Sequence, residues 1–231
     1  TGPNAPVVSS LTHPAQGTWY SNDDPSFNWS ASDISGITGY SYELDQNPGT
    51  IPDVASEGTV TSTNYSNVAD GTWYFHVRAR NGSGIWGATS HYRVNIDATP
   101  PNAPLVNSPT HPNQTIWYLN DDPSFSWNAN DISGITGYSY VLDQIPGTIP
   151  DNASEGIDAF VNYTDIAGGT WYFHVKPQNG SGLWGGTAHY RVNIGAGYTV
   201  YWITSTITSA RTIDPFKLIV ELIDPLTGQP K

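Results

Sequence analysis

The chain has no cysteine and no methionine, and only 8 of its 231 residues are Lys or Arg, against 20 Asp and Glu. The lack of cysteine excludes disulfide frameworks, thiol nucleophiles and Cys-ligated zinc sites. The net charge of −12, with no Lys or Arg before Arg78, argues against nucleic acid as a partner, because that binding needs basic residues to neutralise phosphates. No apolar run approaches the roughly 18 residues of a membrane-spanning helix, so no membrane span is predicted.

Helical periodicity is also missing. No window places apolar residues at i, i+3, i+4 and i+7 over three turns, whereas apolar and polar residues alternate over 73–79 and 91–96. The 23 Gly and 18 Pro supply turn signals between the alternating runs. The first hundred residues therefore predict an all-β fold, with strands at about 5–10, 26–31, 39–46, 60–66, 72–80 and 88–96.

The dominant feature is an internal repeat. Residues 3–96 align with residues 101–194 without a gap, at an offset of 98 residues and about 70% identity. A period of about 100 residues exceeds that of solenoid repeats and suits an autonomous β-sandwich. The Pro-rich join at 97–101 predicts a semi-rigid spacer. The predicted organisation is module 1 at 1–97, module 2 at 98–194 and a C-terminal β-segment at 195–231.

These residues resemble fibronectin type III modules. Trp29 matches the buried Trp of an early strand, and the run from Gly71 to Val77 (Gly-Thr-Trp-Tyr-Phe-His-Val) resembles the penultimate strand. In that family a Tyr takes the inward place at the start of this strand, whereas alternation here gives the place to Trp73. The repeats are also similar to tandem modules of large bacterial cell-surface and secreted proteins. The resemblance implies two immunoglobulin-like sandwiches and an extracellular role as spacer or adhesion surface.

The C-terminal segment does not repeat. Residues 198–207 and 216–223 read as two strands, which cannot bury their apolar faces alone. One interpretation is the opening of a third module. The other is a strand that completes the sheet of a neighbouring subunit, with an inter-subunit strand carrying Phe216, Leu218, Val220 and Leu222.

The histidines do not form a catalytic or metal motif. Each repeat has three, and His76 and His91 are predicted on the outward faces of neighbouring strands, with no nucleophile in a strained turn nearby. Polar pairing across a solvated sheet face explains them without catalysis. The sequence therefore predicts a protein that is not an enzyme and has no required cofactor.

Acidic pairs raise the question of structural calcium. The oxygen ligands would be Asp97 in the join and the repeated acids Asp23, Asp24, Asp33, Asp121, Asp122 and Asp131. None of them fits the twelve-residue loop of an EF-hand. Turns of the Asx type at Asn22, Asp24 and Asp33 are the simpler interpretation.

Aromatic residues supply the candidate ligand surface. Trp86 follows a Gly-rich loop and Trp19-Tyr20 precede the first core strand, and they could form stacking platforms for sugar rings. Their counterparts in the second repeat are Trp117, Tyr118 and Trp184. The alternative is that these side chains cap the ends of the sandwiches or pack at the module junction.

The sequence as a whole predicts a non-catalytic spacer or building unit of an extracellular surface fibre or adhesin. Its partners would be other modules of the same protein or neighbouring copies. Two alternatives stay open: a filament subunit that polymerises by strand donation through 198–223, and a carbohydrate-binding accessory module of a secreted enzyme.

Overall fold

The structure, a computed structural model, describes residues 1–195, and these form two repeated all-β units without a helix. Module 1 contains seven strands: β1 (Val7–Ser9), β2 (Trp19–Tyr20), β3 (Ser26–Ser30), β4 (Ile37–Asp45), β5 (Ser62–Asn64), β6 (Gly71–Asn81) and β7 (Ser90–Ile96). Module 2 repeats them as β8 (Leu105–Asn107), β9 (Trp117–Tyr118), β10 (Ser124–Asn128), β11 (Ile135–Asp143), β12 (Phe160–Asn162), β13 (Gly169–Asn179) and β14 (Ala188–Ile194).

Each module consists of two sheets. In module 1 the orders are β1-β3-β5 and β2-β7-β6-β4, and module 2 has the same two arrangements. All pairings are antiparallel except that of the short β2 with the end of β7, and of β9 with β14. This is the topology of an immunoglobulin-like or fibronectin-like sandwich. The predicted all-β fold with two tandem sandwiches is confirmed, although the pattern missed β2. The boundaries at 97 and 194 stay predictions, and the predicted C-terminal segment, except Gly195, lies outside the described residues.

Aromatic side chains from facing sheets build each core. Phe27 of β3 stacks on Phe75 of β6 at 4.3 Å between ring centroids, and Trp29 lies 5.4 Å from the same Phe75 ring. Phe27 and Phe75 are fully buried and Trp29 is 4% exposed. Phe125, Phe173 and Trp127 repeat the arrangement in module 2. The sheets are therefore held together by the inward half of the alternation that predicted the strands.

A tryptophan takes the role of the corner tyrosine. Trp73 is half-buried against the core, and its indole Nε1–H donates to the carbonyl of Ala69 at 2.8 Å. Trp171 makes the same bond to Ala167. A side-chain donor at the start of this strand that reaches the backbone a few residues upstream is what a tyrosine corner provides. Trp73 and Trp171 therefore make a bond of the tyrosine-corner kind without a Tyr.

Candidate functional site

The join between the modules is anchored from both sides. The backbone N–H of Asp97 donates to the carbonyl of Tyr20 at 2.8 Å, and the N–H of Ala98 donates to the Asp70 carboxylate at 2.7 Å. Tyr20 and Asp70 belong to module 1. The side chain of Asp97 instead enters module 2, where its Oδ2 accepts from Asn179 Nδ2 at 2.8 Å and from the Ser133 hydroxyl. Asp97 therefore connects the two sandwiches through a single residue.

The residues of module 2 that bind Asp97 are held in place by hydrogen bonds within module 2. Ser133 lies in a turn in which its N–H donates to Asp131 Oδ1 at 3.0 Å, and Gly134 closes the turn with a positive φ of 80°. Asn179 ends β13 and is 1% exposed, and its Oδ1 accepts from the backbone N–H of Leu183 at 2.8 Å. Its Nδ2 therefore points back toward the join, where it also donates to the carbonyl of Thr99 at 3.2 Å. We call Asp131, Ser133 and Asn179 the socket of module 2.

Burial makes Asp97 a weaker acid than an ordinary aspartate. It is 1% exposed, and its second oxygen, Oδ1, accepts no hydrogen bond from the described residues. Burial, and after it the hydrogen bonding and repulsion with Asp131 and the charge of Asp70, together raise the pKa of Asp97 to about 6, against the hydrogen bond from Ser133. Burial acts in the same direction on Asp131, but its hydrogen bonds with Asp97 and Ser133 hold its pKa below the ordinary value. The pKa of Asp97 is thus raised while that of its neighbour Asp131 is lowered.

The acidic residues proposed as calcium ligands are distributed over separate turns. Asp97 and Asp131 do come together, whereas Asp33 binds the backbone of Ser35, and Asp24 accepts from the N–H of Asn67 at 2.9 Å. The Asx turn predicted at Asn22 is present, with a 2.9 Å bond to the N–H of Asp24. No group of three or more His, Asp or Glu side chains within residues 1–195 is arranged to hold a metal ion.

The paired histidines correct one expectation. His76 and His91 are opposite each other in the β6–β7 register, with 2.6 Å between their Nδ1 atoms, but His76 is fully buried rather than on a solvated face. The ring of His76 contacts Asp45 and His91, and Tyr74 stacks beside it at 6.3 Å between ring centroids. The connection after β4 also folds back on this face, where Ser41 donates to Asp53 and Pro52 is buried. The outward face of this sheet is thus partly covered.

These histidines form a short hydrogen-bonded chain with an aspartate. His76 Nε2 lies 3.2 Å from Asp45 Oδ1, and because a carboxylate only accepts, this nitrogen carries a proton. In the neutral pair, His91 Nδ1–H then donates to His76 Nδ1. Burial lowers the pKa of the exposed His91, and the neighbouring His76 lowers it further. The same contacts join His174, His189 and Asp143 in module 2, and their partners are all side chains of the sheet itself.

The structure separates the candidate aromatic platforms of one module. Trp19 pairs with Asn95 near the end of β7, and Asn95 in turn pairs with Thr72 of β6. Trp86 forms an isolated β-bridge with Arg80 of β6. At the usual rise per residue, Arg80 is about 27 Å from Thr72 along the strand. Trp86 is half-buried, and the Arg78 guanidinium lies over its ring at 4.9 Å from the centroid. Tyr20 is half-buried with its ring edge-on to His13 at 4.7 Å.

Module 2 differs at its aromatic positions. Lys176 Nζ lies 5.2 Å from the ring centroid of Trp184, which is half-buried, and Tyr118 is half-buried beside His111. Trp117 is 59% exposed, more than its half-buried counterpart Trp19. The apolar residues predicted in an inter-subunit strand, Phe216, Leu218, Val220 and Leu222, lie outside the described residues.

The socket residues were missed by sequence reasoning. The pattern indicates Asp97 and Asp131 as possible calcium ligands, and Asp97 also as part of the join, but it does not single out Ser133 or Asn179. One signal was available. The Asp-Ile-Ser-Gly and Asn-Gly-Ser-Gly turns are identical in the two repeats, although residues 78–80, just before the second turn, differ from their counterparts 176–178.

Comparison with known proteins supplies a weak fold likeness. The chain matches no family model and no curated protein sequence. Among solved structures it is similar to the fibronectin(III)-like modules of Clostridium thermocellum CbhA, with TM-score 0.36, 12% identity, and coverage of 82% of this chain and 95% of that one. It is also similar to the D00–D0 domain of intimin, with TM-score 0.37, 7% identity, and coverage of 80% and 99%. For the mouse nectin-like molecule 4 ectodomain (Ig1–Ig3) the values are 0.38, 12%, 87% and 67%. The fold description therefore rests on the sheets of the chain itself. The part of the chain that the structure describes has no helix long and apolar enough to cross a membrane.

Proposed function

We propose that the two modules are a non-catalytic spacer or building unit of an extracellular surface fibre or adhesin. The observation that carries the proposal is the double anchoring of Asp97, whose backbone binds module 1 and whose side chain binds module 2. A flexible tether would need no such contacts. A residue that connects both sandwiches limits their relative rotation, which is what an element that transmits force or sets a length requires.

The rest of the join supports the same role. Pro101 is buried, and its carbonyl accepts from the N–H of Gly186 in module 2 at 3.1 Å. With Pro100 before it, the backbone here has little freedom. The acidic surface, with a net charge of −12 for the chain, would keep such an element soluble among neighbouring copies.

The relative motion of the modules tests the proposal. Residual dipolar couplings of the full chain are expected to fit one alignment tensor for both modules, and Asp97→Ala is expected to require two. Asp121→Ala is the control, because this exposed acid has the same charge and its side chain has no part in the join. Two independent tensors in the unaltered chain would exclude a rigid spacer.

Carbohydrate binding is the second candidate, and the exposure of Trp117 favours it. A Trp ring that is 59% exposed next to Leu119, which is 74% exposed, offers a flat apolar surface of the kind that sugar rings stack on. Binding on a glycan array that is lost in Trp117→Ala would support this function, with the Trp86→Ala/Trp184→Ala double variant testing the half-buried pair. A silent array would refute it.

A further inference from the structure

Module 1 carries the same socket as module 2. Asp33, Ser35 and Asn81 occupy the places of Asp131, Ser133 and Asn179, and the surrounding turns are identical in sequence. Ser35 N–H donates to Asp33 Oδ1 at 2.9 Å, as Ser133 N–H does to Asp131 at 3.0 Å. The turn closes with the same geometry, since Gly36 has a φ of 77° and Gly134 of 80°. The two sockets are therefore built alike.

The asparagine of this socket is held in the receiving orientation. Asn81 is 2% exposed, and its Oδ1 accepts from the N–H groups of Ser83 and Ile85 at 3.1 and 3.0 Å. Its Nδ2 donates to the carbonyl of Thr1 at 3.0 Å. Asn179 makes the equivalent bond to Thr99, which is two residues after Asp97. The N-terminal residues of module 1 thus follow the path that the join takes into module 2.

The outer surface of the module 1 socket is exposed. Ile34 in its turn is 106% exposed, whereas Ile132 in the occupied socket of module 2 is 58% exposed. Ser35 is exposed, whereas Ser133 is half-buried. We attribute the lower exposure of Ile132 and Ser133 to the join that is bound in module 2. Asp97 and the residues around it therefore define both the shape and the chemistry of the group that fits.

We propose that the socket Asp33, Ser35 and Asn81 of module 1 docks the linker aspartate of a like module joined directly before Thr1, carried in an Ile-Asp-Ala segment like 96–98. The partner is a second module that ends as module 1 does. The carboxyl group of its linker aspartate would accept hydrogen bonds from Asn81 and Ser35. This contact would fix the partner module at the N-terminal end of module 1. The proposal rests on the role given above to Asp97.

The chain supplies matched segments for the test. Asn-Ile-Asp-Ala, the sequence of 95–98, is placed directly before Thr1 of the full chain, which puts its Asp where Asp97 stands relative to Thr99. The control extension is Asn-Ile-Gly-Ala, the sequence of 193–196, which differs only at that position. At pH 5, NMR measures hydrogen exchange of the Asn81 side-chain amide in both proteins.

The Asp extension is expected to slow this exchange by about fivefold relative to the Gly extension, the effect of one net hydrogen bond. Ser35→Ala in the Asp-extended chain is expected to reduce the gain. Equal exchange with the two extensions would overturn the proposal. The Asn179 amide reports on the existing junction in the same spectra. Protection at Asn179 without a gain at Asn81 would refute the docking proposal alone, whereas no protection at Asn179 would refute the junction as well.

Discussion

Truncating Phe75 tests whether the two modules are autonomous. Phe75 is fully buried, stacks on Phe27 at 4.3 Å and contacts Trp29, so Phe75→Ala leaves a cavity between the sheets of module 1. Phe→Ala changes in cores cost about 3–5 kcal/mol, a large part of the roughly 5–15 kcal/mol that stabilises a domain of this size. At about 4–8 °C per kcal/mol, the melting of module 1 is expected to fall by about 12–40 °C.

The assay follows each module separately. Amide hydrogen exchange under increasing urea reports β6 and β13 as separate groups of residues in one sample. Phe75→Ala is expected to lower the free energy of unfolding in β6 and leave β13 within about 0.5 kcal/mol of the unaltered chain, since distant, independent sites do not couple. Phe173→Ala is the matched control and should give the reverse pattern. Equal losses in both strands after either change would refute the autonomy of the modules.

Three further outcomes follow from other contacts. Trp73→Phe removes the indole N–H that donates to Ala69 and is expected to cost about 1 kcal/mol in urea unfolding; no loss would mean that the corner bond contributes nothing. Because the pKa of Asp97 is raised to about 6 in the docked join, from an ordinary value of about 3.9, the docked state binds the proton more tightly and junction stability should fall as pH rises from about 4 to about 6. Exchange protection of the Gly180 amide measures this, and Asp97→Asn should remove the Asp97-dependent slope. Deleting 196–231 is expected to turn filaments into soluble monomers if that segment donates a strand, and unchanged sedimentation would exclude strand donation.

The sheets could be predicted because their signal is local. Alternation places Phe75 and Val77 inward, and the gapless repeat predicts the second sandwich without further assumptions. The two-residue β2 was missed because a parallel pair of that length has no periodicity to detect. The burial of His76 was also missed, because alternation marks its face of the sheet as exposed and does not indicate that Asp45, His91 and Tyr74 contact its ring.

The junction could not be predicted for a different reason. Its contacts join residues that are far apart in the chain, such as Asp97 and Asn179, and each residue has an ordinary local role in a turn or a linker. The sequence indicated Asp97 and Asp131 each as a possible oxygen ligand of calcium, but not that the two side chains meet. In the structure, the side-chain amide of the buried Asn179 and the hydroxyl of Ser133 donate to the Asp97 carboxylate, in the place that a cation would have taken.

The two repeats are alike at the end of the module that receives a join and differ at the end that supplies one. The receiving residues are the same in both copies, whereas the two acids of module 1 that hold the join, Asp70 and Asp97, are replaced by Gly168 and Gly195. The N–H of Gly195 still donates to the carbonyl of Tyr118 at 2.7 Å, as that of Asp97 does to Tyr20, so the backbone path is retained without the side chain. Module 2 therefore receives a join through its socket but offers no carboxylate at these positions to whatever follows it. Directionality of this kind arises from side chains alone, because the two sandwiches have the same strands in the same order.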